Sequence, residues 1–139
     1  MTTDDLTAAL HAYAVGLYPL EAGVALLAAN GAFLRRGDFT SRFIETGTSI
    51  TDGTTPMAAI DWDAAITALN SGGLPCSGGE RRILQLSASL ANGTPVSLRD
   101  TLTGLDDHNT ARLLTAIQRA VGKRPETRHR CQPSPGTPG

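Results

Sequence analysis

The sequence predicts an all-α fold: a small multi-helix bundle with a C-terminal tri-helical, helix-turn-helix-like unit and a disordered tail. Three observations carry this expectation. Apolar side chains recur at helical spacing through most of the chain up to Gly122. Capping residues precede these runs, and Asn-Gly pairs or single glycines close them. Finally, Ser77–Gly122 holds three such start-and-stop units in succession.

The first helix starts at Thr3, Asp4 and Asp5, with acids where the positive end of the helix dipole favours them. Leu6, Leu10, Tyr13 and Leu17 follow as one apolar stripe. Pro19 excludes α geometry at Tyr18 and so ends this helix, and it can open the next. In that second helix Leu20, Val24 and Leu27 face one way, and Asn30-Gly31 stops it because both residues tolerate left-handed angles. Between Ala32 and Glu45 lie all three phenylalanines, Phe33, Phe39 and Phe43, interleaved with Arg35, Arg36 and Arg42. Bases stack on surfaces mixed in this way. A short amphipathic helix with buried rings and exposed arginines predicts the same pattern, and Asp38 could cap it.

Gly47–Pro56, reading GTSITDGTTP, is the clearest linker. Asp61 caps a helix with Trp62, Ala65, Ile66 and Leu69 on one face, so the single tryptophan is assigned to the core. Ser77-Gly78-Gly79-Glu80 is a capping box, opening a helix with Ile83, Leu86 and Leu90 inward. Ser97 caps a short helix through Leu98 and Leu102. Asp106 or Asp107 then caps a last one, with Leu113, Leu114, Ile117, Ala120 and Val121 inward. The organisation is an N-terminal helical segment (1–46), the linker (47–56), a C-terminal helical unit (57–122) and a basic, Pro-rich tail (123–139).

Composition bounds function only loosely. A chain of 139 residues suits one domain with a real core. Its hydrophobic share is 40%, much of it alanine, so burial depends on few large side chains. The net charge is -1, but no lysine or arginine precedes Arg35, whereas the tail holds Lys123, Arg124, Arg128 and Arg130 against Glu126 alone. Such a tail could touch nucleic acid or an acidic partner, although its composition reads first as solvated, disordered chain. Cys76 and Cys131 make no disulfide framework, and the acidic N-terminus differs from a secretory signal. Both point to the cytoplasm. The charge-poor stretch Ala12–Leu34 contains Pro19, Glu21, Asn30 and three glycines, which argues against a membrane span.

Three constellations invite a sharper function. CSGGERRIL followed by PVSLRDTLTGLD resembles the signature region of ABC-transporter-type ATPases. The resemblance implies Ser77–Glu80 as the signature, Asp100 as the magnesium-binding acid and Leu105-Asp106 as the following turn. Against it, Arg99 interrupts the strand equivalent, Thr101 stands where the catalytic glutamate belongs, and no G-x-x-x-x-G-K-[ST] loop cradles phosphate. A degenerate ATPase fragment is the most remote reading. Glu80–Leu90, Val96–Leu102 and Asp107–Val121 resemble, in order and length, the core of helix-turn-helix DNA-binding domains. His108, Arg112, Thr115 and Arg119 would then meet the groove, but Asp106 and Asp107 would face phosphates. The five arginines of Ser77–Gly122 are also nearly balanced by four acids. As for metals, His11, His108 and His129 are scattered, and His129 with Cys131 supplies only two ligands.

The acid pairs Asp4/Asp5, Asp61/Asp63 and Asp106/Asp107 all sit at helix starts, where capping accounts for them, and no G-x-S-x-G is present. The span from about Ile60 to Gly122, with LPCSGGERRIL, SLANGTPVSLRD and TGLDDHN, is similar to short uncharacterised actinobacterial proteins. That resemblance implies a bacterial cytosolic setting and carries no site residues. The expectation is thus a non-enzymatic α-helical protein-interaction module with no cofactor, metal or small-molecule substrate. It would bind a protein partner or itself through a surface of Arg82, Gln85, Arg112 and Arg119. A helix-turn-helix DNA-binding regulator is the alternative.

Overall fold

A computed structural model describes residues 2–122; the tail at 123–139, with His129 and Cys131, lies outside the described residues. In chain order the elements are α1 (Thr3–Ala14), α2 (Tyr18–Asn30), α3 (Gly37–Phe43), β1 (Ile44–Thr48) and β2 (Pro56–Ile60). After them come α4 (Trp62–Asn70), α5 (Gly78–Asn92), α6 (Leu98–Leu102) and α7 (Asp107–Ala120). The described chain is mostly helical, with one small two-stranded sheet.

Capping chemistry sets most helix boundaries. Thr2 and Asp5 form a capping box at α1: the Asp5 N–H donates to Thr2 Oγ1 at 3.0 Å and the Thr2 N–H to Asp5 Oδ2 at 3.2 Å. Asp61 caps α4, Ser97 caps α6 and Asp106 caps α7, each accepting an N–H three residues on. Gly31 and Gly93 close α2 and α5 in the left-handed conformation, at φ 80° and 79°. Asp38 departs from expectation. The N-cap of α3 is Arg36, with no side-chain cap, and Asp38 lies inside the first turn, where it pairs with the Arg36 guanidinium at 2.6 Å.

The segment read as a linker holds the end of β1, the loop after it and the first residue of β2. The strands pair antiparallel, from Ile44 opposite Ile60 to Thr48 opposite Pro56. Asp52 organises the loop by accepting the N–H groups of Thr54 and Thr55, both at 2.9 Å, and the Thr55 hydroxyl. The Thr55 hydroxyl and these backbone donors hold the Asp52 carboxyl down at about 2. Ala58 and Ile60 of β2 are buried and α1 packs on that strand, whereas β1 beyond Ile44 is exposed.

α2 is the central helix. α5 and α7 both pack chiefly on it and touch each other only sparsely. The expected C-terminal tri-helical unit is therefore not a self-contained core, because a helix from the N-terminal segment supplies its common contact. α5 comes closest at Gly23, where an added Cβ would lie 2.6 Å from both the Ala91 Cβ and the Ser87 carbonyl oxygen. Only a glycine permits that approach. Phe33, Phe39, Leu10, Leu26, Leu27, Ile83 and Leu84 form the most deeply buried part of the core, which Trp62 also joins.

Candidate interaction surface

The four residues singled out from the sequence lie in two local settings. Arg82 is half-buried, its guanidinium laid against Gly78 and Gly104 beside the turn that enters α7, and Gln85 is half-buried on the same helix. Arg112 and Arg119 belong instead to a groove between α2 and α7. These helices run antiparallel, with Asn30 bonded to Asn109 at one end and Tyr18 against Gly122 at the other. The groove, of about 420 Å³, has Ala25, Ala29, Ala111 and Ala116 along it and the two arginines at its rim. Arg112 donates to Asn109 Oδ1 at 2.9 Å, an oxygen that also accepts from Asn30 at 3.2 Å. Asn109 is buried, so this bonding satisfies a polar group that would otherwise be costly.

Arg119 reaches the field of His11 on α1. Burial first, and then the Arg119 charge, hold His11 below its ordinary value, while Glu21 pulls weakly the other way. Among the described residues the ion pair is Arg36–Asp38, and no carboxylate neutralises Arg112 or Arg119.

The outward flank of α7 is a second feature, and it corrects the assignment made from periodicity. Leu113 is buried as expected and Ala120 is half-buried, but Leu114, Ile117 and Val121 are 59%, 43% and 64% exposed. The inward stripe is Asn109, Leu113 and Ala116, which turns the helix so that small residues meet α2. The leucines of α6 differ too: Leu98 and Leu102 are exposed, and Thr101 is the buried residue. Of the stripe expected for the first helix only Leu6 and Leu10 enter the core: Tyr13 is half exposed, and Leu17 lies beyond α1 as the exposed N-cap residue of α2. Pro19 does not end α1, which stops at Ala14; Tyr18 is the first residue of α2 and Pro19 sits in its first turn, where no N–H is needed.

The arginine–phenylalanine segment resolves into packing. The Phe33, Phe39 and Phe43 rings stack in series at 5.1 and 5.3 Å between centroids, all buried. Arg36 lies 5.7 Å over Phe33 and donates to the Pro75 carbonyl at 2.6 Å, and Arg42 lies 4.6 Å over Phe43 and donates to Gly73 at 2.9 Å. Arg81 adds a bond to the Leu69 carbonyl at 3.1 Å. Three guanidiniums thus fasten the α4–α5 connection, and no ring is offered to a base.

The same connection ends at the signature-like sequence. There the Ser77 N–H donates to Glu80 Oε1 at 3.0 Å and the Glu80 N–H to Ser77 Oγ at 3.2 Å, a reciprocal helix cap. Asp100 sits in the single turn of α6, not at the end of a strand. Cys76, just before the cap, is half-buried, and burial followed by Glu80 pushes its thiol up, away from a reactive thiolate. Among the described residues no three His, Cys, Asp or Glu side chains gather as a metal site would require, and no helix is long and apolar enough to cross a membrane. No family model, curated protein or solved structure matches this chain.

Proposed function

We propose that the chain is a non-enzymatic helical interaction module and that α7 is its docking element. The carrying observation is the unpartnered stripe of Leu114, Ile117 and Val121, at one-turn and two-turn spacing on a single helix flank. Keeping large apolar side chains aligned in water is unfavourable, and a partner that covers them lowers the free energy. The conspicuous acids support the non-enzymatic reading, since Asp5, Asp61 and Asp106 are each engaged as helix caps.

Crosslinking in the native cell, comparing wild type with Leu114→Ser/Ile117→Ser, tests this directly. The double variant is expected to fold normally and to lose the specific crosslinked partners. Retention of all of them sinks the proposal. Arg112→Glu/Arg119→Glu, run beside it, reports whether the opposite flank takes part. Random-sequence duplex DNA is the control ligand. Binding that weakens steeply with salt, and that vanishes in the arginine variant, would replace this reading with the DNA-binding regulator. That alternative keeps Arg112 and Arg119 but must place Asp106 and Asp107 near phosphates.

A further inference from the structure

We infer that the free edge of β1 pairs, antiparallel about a two-fold axis at Thr46, with the same strand of a second copy of this chain. A two-stranded sheet has two open edges, and proteins usually blunt such edges with lysine, proline, a bulge or a covering element. β2 has two of these: Pro56 begins it and α1 packs on it. β1, reading Ile-Glu-Thr-Gly-Thr, has no proline, its register with β2 runs without a bulge, and its single charge is Glu45, whose backbone faces β2 and not the open edge.

Hydrogen-bond parity decides which groups point outward. The Ser49 N–H donates to the Thr55 carbonyl at 2.8 Å and the Asp61 N–H to the Phe43 carbonyl at 2.7 Å, one at each end of the ladder. Because antiparallel bonding alternates, Glu45 and Gly47 also face β2, and Ile44, Thr46 and Thr48 turn their N–H and C=O groups away from it. An axis through Thr46 brings these outward sets into register on two copies: Thr46 meets Thr46, and Ile44 meets Thr48. Roughly six inter-chain N–H···O bonds result.

The side chains agree with that register. Glu45 falls opposite Gly47, so no charge directly faces its like, and the β-branched Ile44, Thr46 and Thr48 form the cross-strand pairs. The two Glu45 carboxylates lie on a diagonal at roughly 7–8 Å, a mild repulsion that salt screens. The strand is its own complement, and for that reason the occupant is a second copy and not an unrelated peptide. This inference uses a surface remote in sequence from α7 and stands or falls separately from the docking role given to that helix.

Sedimentation velocity on the full chain, from low to high micromolar concentration, is the test. The wild type is expected to show a concentration-dependent dimer. Thr46→Pro removes an outward N–H without removing a bond to β2, and Thr46→Lys sets like charges across the axis. Each is expected to weaken dimerisation roughly tenfold or more, whereas Thr46→Val retains it. Circular dichroism checks folding, and the lysine variant decides if the proline one unfolds. A wild type that stays monomeric throughout overturns the inference. So does a dimer that survives in the folded Thr46 variants, which would place the interface elsewhere.

Discussion

α5 and α7 pack on the same helix, α2, and they do so by different means. α5 makes a dry, close crossing: Gly23 admits it to within contact of Ala91 and the Ser87 backbone, and Ile83, Leu84, Leu86 and Ala88 are all buried. α7 makes a narrower and more polar seam, with Asn109, Leu113 and Ala116 inward, an asparagine oxygen shared by Asn30 and Arg112 at one end, and at the other Arg119, whose charge reaches His11 of α1. One helix is committed to the core on a wide face, and the other keeps large apolar side chains outside. A helix that holds its place with few buried side chains has surface left for a partner.

The sharpest test of that contrast lies within α7 itself. Leu113→Ala removes a buried side chain and is expected to cost about 2–5 kcal/mol in urea denaturation. Leu114→Ala, one residue on, removes an exposed one and should stay within about 0.5 kcal/mol. Leu84→Ala on α5 should match or exceed Leu113→Ala, since its site has less room to relax. Equal losses at 113 and 114 would mean that the helix is rotated from the orientation described here.

A smaller effect is expected at the α5 crossing. Gly23→Ala gains up to about 1 kcal/mol of helix propensity, but its Cβ meets backbone and a methyl group at 2.6 Å. Overpacking of that kind costs about 1–3 kcal/mol, so the net change should be destabilising. The neighbouring Ser87 Oγ is buried without a hydrogen bond among the described residues, a sign that this seam favours closeness over polar satisfaction. If Gly23→Ala instead raised stability, α5 would have to stand further from α2 than described here.

These elements also mark what the sequence made legible. Most helix ends were readable because caps are local: Ser77 with Glu80, Asp61, Asp106, Gly31 and Gly93 act through bonds spanning a few residues, whereas the end of α1 at Ala14 and the start of α3 at Arg36 carry no side-chain cap and were read wrongly from Pro19 and Asp38. The phase of α7 was not. Leu113, Leu114, Ile117, Ala120 and Val121 support a broad apolar face, and the choice within it falls to α2, which accepts Ala116 and bonds Asn109 through Asn30. The hairpin was missed because its turn residues, SITDGTT between Thr48 and Pro56, read as a linker. The signal was nonetheless present, in alternating β-branched Ile44, Thr46 and Thr48 followed by Asp52-Gly53. The surroundings of the proposed arginine surface were not legible either, for a tertiary reason. Arg82 and Arg112 share an outward position on their own helices, yet one leans on the α6–α7 turn and the other on the α2 groove.

The smallest expected effect separates the two seams by pH. His11 of α1 feels the charges of Arg119 on α7 and Glu21 on α2, and burial together with the arginine keeps its folded value below the ordinary 6.5. The folded chain therefore resists protonation more than the unfolded chain does. Well above pH 6.5 both are neutral and the stability tied to this group is fully present. As the pH falls through 6.5 and on through the depressed folded value, the unfolded state takes up its proton first and that stability is lost. Urea midpoints measured from about pH 7.5 down to about pH 5, where most carboxylates are still ionised, should decline in the wild type. The decline should be shallower in Arg119→Gln, which removes the repelling charge, and shallowest in His11→Gln, which removes the titrating group. A substitution in the α5 seam such as Ser87→Ala should leave the slope unchanged. If His11→Gln declined as steeply as the wild type, the Arg119 end of α7 would not be the source of the pH dependence, and the contrast between the helices would reduce to packing alone.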